Sequence, residues 1–214
     1  MKRSGQRFDA TYGVTTEGVI FLGDLDPDAV GDALADATHY EPTPVADFEA
    51  LIGALPVPLR ELVFVDVGSG LGRAVLLASR HPFKQVVGVE VSPALCEIAR
   101  DNLVRWRRSG AQLACKDLRI ICSDAAHFAF PPGDLAVYLY NPFGEASVER
   151  LADRLAARPS NAFVLYHTPV HRAAFDVRPE YREVADVGAG VVYRTVPKGP
   201  QEGLPRHKKR AHLA

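Results

Sequence analysis

No stretch of this 214-residue sequence approaches the roughly 18 consecutive apolar residues of a membrane-spanning helix, so no membrane partner is expected. The opening MKRSGQRFDATYG has no apolar run behind its basic residues, and secretion is not expected either. Cysteine is scarce. Cys96, Cys115 and Cys122 form no CxxC pair and no even set, which counts against a disulfide framework or a cysteine metal site and predicts free, buried thiols in a reducing cytoplasm. An excess of charge is also lacking: the formal net charge is -1. That balance conceals an asymmetry, because residues 198–214 carry a net +4 and residues 1–197 a net -5. Rich in proline and glycine and poor in apolar residues, the tail reads as a solvated, disordered extension, either solubilising or a loose grip on an anionic surface.

What is present is a set of short apolar runs. LVFVDV (62–67), QVVGVEV (85–91), LRIICS (118–123), LAVYLY (135–140) and AFVLYH (162–167) are continuous rather than alternating, as parallel strands covered on both faces should be. Helical stretches separate them. In SPALCEIARDNLVRWRR, Ser92 suits a cap and Pro93 the first helical position, with Leu95, Ile98, Ala99, Leu103 and Trp106 on one face. EASVERLADRLAAR (145–158) is a second amphipathic helix, and YREVADV with GVVYRTV predicts a terminal antiparallel hairpin. Alternation of this kind means an α/β fold with a mostly parallel, doubly wound sheet.

Ligands of such sheets bind beyond the carboxyl ends of the strands. The first strand ends in VDVGSGLGR, where Gly68, Gly70 and Gly72 allow a sharp turn and close backbone approach. A GxGxxG dinucleotide fingerprint would need its third glycine at position 73, which is Arg73. The second strand ends in Glu90, placed to accept hydrogen bonds from both hydroxyls of a ribose, and the third in CSDA, where Asp124 could receive an adenine amino group. Singly, each acid is also an ordinary turn residue.

In order and spacing, VDVGSGLGR, VVGVEVS and CSDA resemble the cofactor motifs of the class I S-adenosylmethionine-dependent methyltransferases. The resemblance spans residues 45–197 and implies a Rossmann-like, seven-stranded sheet with S-adenosyl-L-methionine as cofactor. It places the turn from Gly68 through Ser69 and Gly70 to Gly72 around the methionine part, Glu90 on the ribose and Asp124 on the adenine, with Asp66, Val91 and Ala125 as further cofactor-binding residues. HYEPTP (39–44) is similar to the segment that closes over the cofactor in lysine-directed enzymes of this class, the non-SET histone lysine methyltransferases and a mitochondrial lysine methyltransferase among them. That gives Tyr40, Pro42 and Thr43 the closing role. Together, the YEPT and NPFG segments resemble a bacterial subgroup with no assigned substrate.

The fourth strand runs into NPFG, which resembles the Asn-Pro-Pro-Tyr/Phe motif of class I enzymes that methylate planar or amine nitrogens, with one proline dropped. The implied catalytic set is Asn141, Pro142 and Phe143. The Asn141 amide oxygen would accept from the acceptor nitrogen and aim its lone pair, while the ring packs beside it. An ordinary strand-ending turn is the other reading. His127 and His167 end the third-strand loop and the fifth strand, as a general base or as satisfied turn residues. Residues 1–44, with a helix start at Asp26-Pro27, form a lid or a packing extension. The sequence thus predicts a cytoplasmic methyltransferase acting on a nitrogen nucleophile, a protein lysine or a small amine. An RNA methyltransferase and a non-catalytic cofactor-binding module are the alternatives.

Overall fold

In the computed structural model of the chain, residues 2–20 and 40–196 are described, with side chains from residue 7 onward. Helix α1 (Lys2–Tyr12) and α2 (Val45–Gly53) precede a sheet of seven strands: β1 (Val63–Val67), β2 (Gln85–Glu90), β3 (Leu118–Cys122), β4 (Leu135–Leu139), β5 (Ala162–His167), β6 (Tyr181–Asp186) and β7 (Gly190–Thr195). Between them lie α3 (Arg73–Ala78), α4 (Pro93–Arg108), α5 (Glu145–Ala156) and α6 (Ala173–Asp176). The strand order is β3-β2-β1-β4-β5-β7-β6. β1 to β5 are parallel, and β7 inserts antiparallel between β5 and β6.

Strand periodicity divides the interior into two layers. Phe64, Val86, Ala136, Tyr138, Phe163 and Leu165 point to the side covered by α2, α3 and α4. Their neighbours Val65, Val87, Leu135, Val137 and Val164 point to the side covered by α5 and α6. Every residue of β1 and β4 is buried, which is why these runs carry no polar alternation. β1 pairs with both β2 and β4, so the winding reverses between β1 and β4, and the turns that leave those two strands face one another.

Local chemistry explains the helix boundaries. Ser92 Oγ accepts from the Leu95 amide at 3.4 Å and Pro93 opens α4 as expected. Of the apolar face foreseen for α4, Ile98 is instead 38% exposed, and Asn102 takes an interior place because its amide has backbone partners there. Cys96 and Cys115 are buried, but Cys122 is exposed, contrary to expectation: it is the last residue of β3, the strand at the edge of the sheet, and departs from the buried parity of Leu118 and Ile120. The helix start at Asp26-Pro27 and the basic tail lie outside the described residues.

The described part of the N-terminal segment packs on the first layer. Phe8 stacks on Trp106 at 5.4 Å between ring centroids and Tyr12 meets the same indole at 4.4 Å. Asn102 of α4 donates to the carbonyls of Thr15 (2.8 Å) and Leu71 (3.0 Å) and accepts from the Thr15 amide, so one side chain ties the segment to the glycine turn.

Candidate active site at the carboxyl edge of the sheet

The turn after β1 is built on left-handed residues: Gly68 (φ 76°), Gly70 (φ 51°) and Gly72 (φ 85°). A Cβ on Gly68 would stand 2.6 Å from Cβ of Pro142, and one on Gly70 would stand 2.1 Å from the Tyr40 ring. The glycine turn is therefore in contact with NPFG on one side and with the YEPT segment on the other. Those contacts, as much as backbone conformation, require glycine there. Gly72 caps α3 and faces Ala99 of α4.

One cleft runs along this edge. Of the expected cofactor residues, Tyr40, Thr43, Asp66, Gly68, Ser69, Gly70, Glu90, Val91, Asp124 and Ala125 line it, and Gly72 does not. Glu90 is 5% exposed, with one carboxylate oxygen accepting from the Gly70 amide (2.8 Å) and the other from the Ser92 amide (2.9 Å). Each oxygen keeps a second lone pair for a ligand hydroxyl. Burial pushes the Glu90 carboxyl above its usual range, against the pull of those amides. Ser69 Oγ is buried without a hydrogen-bond partner among the described residues. A glycine cradle, a carboxylate with open lone pairs, an orphaned hydroxyl and Asp124 beyond them fit an adenosyl ligand with an amino-acid arm. When bound, S-adenosylmethionine supplies a methyl group on a sulfonium, already activated for displacement.

Asp66 is 4% exposed at the end of β1. Burial, with the Glu90 charge adding to it, raises its pKa from 3.8 to about 8. In the free protein Asp66 thus holds a proton, between pH 4 and 8, that the unfolded chain has released, so its contribution to stability declines as pH rises through that window. A cationic ligand in the cleft favours the ionised form. Cofactor affinity should therefore increase with pH up to about 8, by as much as tenfold per unit, and Asp66→Asn should flatten the profile. Calorimetry in buffers of differing ionisation enthalpy counts the released proton; affinity independent of pH in the parent protein would refute this account.

Several lining residues were not singled out from sequence. Tyr138 on β4 and Tyr140 just beyond its end reach across to the YEPT segment: Tyr138 donates to Thr43 Oγ1 at 3.3 Å and Tyr140 to Glu41 at 2.9 Å. Their i, i+2 spacing ahead of NPFG was the available signal. Arg150, Arg154 and Arg158 form an i, i+4, i+8 row on α5 and just beyond it. Arg154 donates to the carbonyls of Ala125 and Phe128, and Arg158 to those of Pro131 (2.8 Å) and Gly133 (2.7 Å), stapling the loop that carries Asp124.

Arg73, the residue at the missing-glycine position, is 2% exposed. Its guanidinium donates to Thr16 Oγ1, to Glu17 at 2.6 Å and to Asp9 at 3.2 Å, and lies 4.2 Å from the centre of the Phe8 ring. Tyr40 donates to the Thr16 carbonyl at 2.7 Å. The position that departs from the dinucleotide fingerprint is thus the anchor of the N-terminal segment over the glycine turn.

At NPFG, Pro142 and Phe143 line the cleft, whereas the Asn141 side chain bridges to the loop after β5. Its Nδ2 donates to the Thr168 carbonyl at 2.7 Å, and its Oδ1 accepts from the Val170 amide at 3.3 Å. Asn141 (φ 43°) and Thr168 (φ 46°) are the non-glycine residues with left-handed backbones among those described. His167 is buried with Nε2 3.2 Å from Asp47, and both border a separate shallow depression. Desolvation lowers its pKa in spite of Asp47. His127 is exposed and pairs with Asp124 at 3.1 Å.

Residues 65–141 match a methyltransferase domain family. No curated protein matches the chain by sequence. Among solved structures, the chain is similar to an RNA methyltransferase from Salinibacter ruber in complex with S-adenosylhomocysteine, at 23% identity over 76% of this chain and 98% of that one, TM-score 0.52. It is also similar to a protein of Pseudomonas syringae provisionally named a methyltransferase (16% identity, 70% and 96% covered, TM-score 0.53) and to the 23S rRNA methyltransferase ErmE (15%, 73% and 68%, TM-score 0.50). At these identities the structures share a fold with this chain and lend it no substrate. The domain match over residues 65–141, the sheet order and a cleft fitted to the cofactor together support S-adenosylmethionine-dependent methyl transfer on a class I methyltransferase fold.

Proposed function

We propose that the methyl acceptor is a nitrogen nucleophile, on a protein lysine or a small amine. The observation that carries this reading is that Tyr138, Tyr140, Pro142 and Phe143 line the cleft together with the Glu41 carboxylate, which the Tyr140 hydroxyl holds at 2.9 Å. Aromatic faces and an acid suit an amine, which is cationic until it reacts, better than a phosphate-bearing or neutral hydroxyl acceptor. The described part of the N-terminal segment acts as a cover: Tyr40 presses on the glycine turn and is held there through Thr16 and Arg73. Transfer from a sulfonium needs in-line approach more than acid-base help, and positioning of this kind supplies roughly 7–11 kcal/mol.

Asn141 serves that positioning. Its two bonds to the β5 loop hold the turn that sets Pro142 against Gly68 and so shape the cleft wall that the acceptor meets. Asn141→Ala should slow methyl transfer by an amount equivalent to about 2–4 kcal/mol in the barrier while changing cofactor affinity much less. Single-turnover transfer and calorimetry on the same variant separate the two; parent-rate transfer would reduce Asn141 to a turn residue. The test of the acceptor class is isotope-labelled S-adenosylmethionine incubated with the protein and a cell extract. Label on amine nitrogen supports the reading, and label on RNA, oxygen or carbon overturns it.

A further inference from the structure

Resting on the amine reading, we propose that Glu41 is the specificity-determining residue of the acceptor end, receiving the substrate as an alkylammonium ion and taking the proton that must leave before the nitrogen can be methylated. Glu41 sits in the cleft wall between Tyr40, whose ring covers Gly70, and Thr43. Tyr140 Oη donates to Oε2 at 2.9 Å, which fixes the carboxylate relative to β4, and Oε1 has no hydrogen bond among the described residues. The Tyr140 ring is itself wedged edge-on against His167, 4.1 Å between centroids. Burial and the neighbouring acid push the Tyr140 phenol well above its usual range, so it stays a donor and Glu41 the acceptor.

No described residue forms an ion pair with Glu41, and the arginines that line the cleft are placed elsewhere. Arg73 is taken by Asp9 and Glu17, Arg154 by backbone carbonyls, and Arg150 lies along α5 with Ser147 at 2.6 Å. The negative charge at this end is therefore available to a ligand. An ammonium ion gains from that charge and from the adjoining aromatic faces, whereas an alcohol gains from neither. In the reaction an N–H bond of the ammonium breaks and its proton passes to the Glu41 carboxylate. The freed lone pair forms the new N–C bond, and the electron pair of the broken S–C bond stays on sulfur. Glu41 is solvent-exposed and returns the proton to water.

The test uses n-butylammonium as probe, titrated by ligand-detected NMR into the full chain saturated with S-adenosylhomocysteine, with pentan-1-ol as the uncharged control. Glu41→Gln should raise the Kd for n-butylammonium roughly ten- to a hundredfold, the scale of one charge-assisted hydrogen bond. Glu41→Asp should retain part of the affinity. Neither variant should alter pentan-1-ol or S-adenosylhomocysteine binding. Equal n-butylammonium affinity in the parent and Glu41→Gln proteins, or none in the parent, overturns the proposal. The two levels fail separately: label on nitrogen with ammonium binding indifferent to Glu41→Gln removes Glu41 alone, and label on another acceptor removes the amine reading beneath it.

Discussion

Glu90→Ala is expected to weaken S-adenosylmethionine binding by roughly 30- to 1,000-fold, or about 2–4 kcal/mol. The carboxylate does two jobs from one buried position. In the proposed cofactor site its remaining lone pairs would meet the ribose, and it holds the amides of Gly70 and Ser92, so the glycine turn and the entry to α4 share one anchor. Glu90→Gln should fail nearly as badly, because its amide nitrogen would face one of those two backbone donors. Calorimetry against S-adenosylmethionine, S-adenosylhomocysteine and NAD is the measurement, with no affinity expected for NAD. Affinity that survives Glu90→Ala would remove the ribose assignment.

Arg73→Met should lower the stability of the free protein by about 3–5 kcal/mol, the range for breaking a buried pair from one side. Asp9 and Glu17, whose side chains are 15% and 29% exposed, would be left facing Thr16 with no cation. The same substitution should weaken cofactor binding, since Thr16 is what holds the Tyr40 hydroxyl. Urea unfolding and calorimetry on one variant read both effects. A stability loss under about 1 kcal/mol would place the cluster with ordinary surface ion pairs. Truncation at residue 44 would not isolate the covering role of the segment, because it strips Arg73 of both carboxylates at once.

Legibility tracked the range of the interactions involved. The five parallel strands and α4 were readable because their signals are local: continuous apolar runs of strand length, a serine before a proline, a repeat near 3.6 residues. That the candidate residues at the strand ends would share one edge was readable for a related reason. Once the strands are parallel, all their carboxyl ends share one edge, and the last residue of each run is placed there by topology alone. Eight of the expected residues on these segments, from Asp66 to Ala125, together with Pro142 and Phe143, line the same cleft.

Asn141 shows where that logic stops. Its place at the edge followed from the sequence, but its side-chain direction depended on Thr168 and Val170, 27 and 29 residues away. The partners of Arg73 lie 56 to 64 residues earlier, and Tyr140 and Glu41 are 99 apart. By itself, the sequence determined an α/β sheet, its glycine turn and the acids of its strand ends, because short-range steric and hydrophobic periodicity fixes those. Only the tertiary structure decided which polar groups meet over the cleft: Arg73 with the N-terminal segment, Tyr138 and Tyr140 with YEPT, Asn141 with the β5 loop. A hydrogen bond needs its donor within about 3 Å of its acceptor, and for residues so far apart in the chain that distance is set by how whole elements pack.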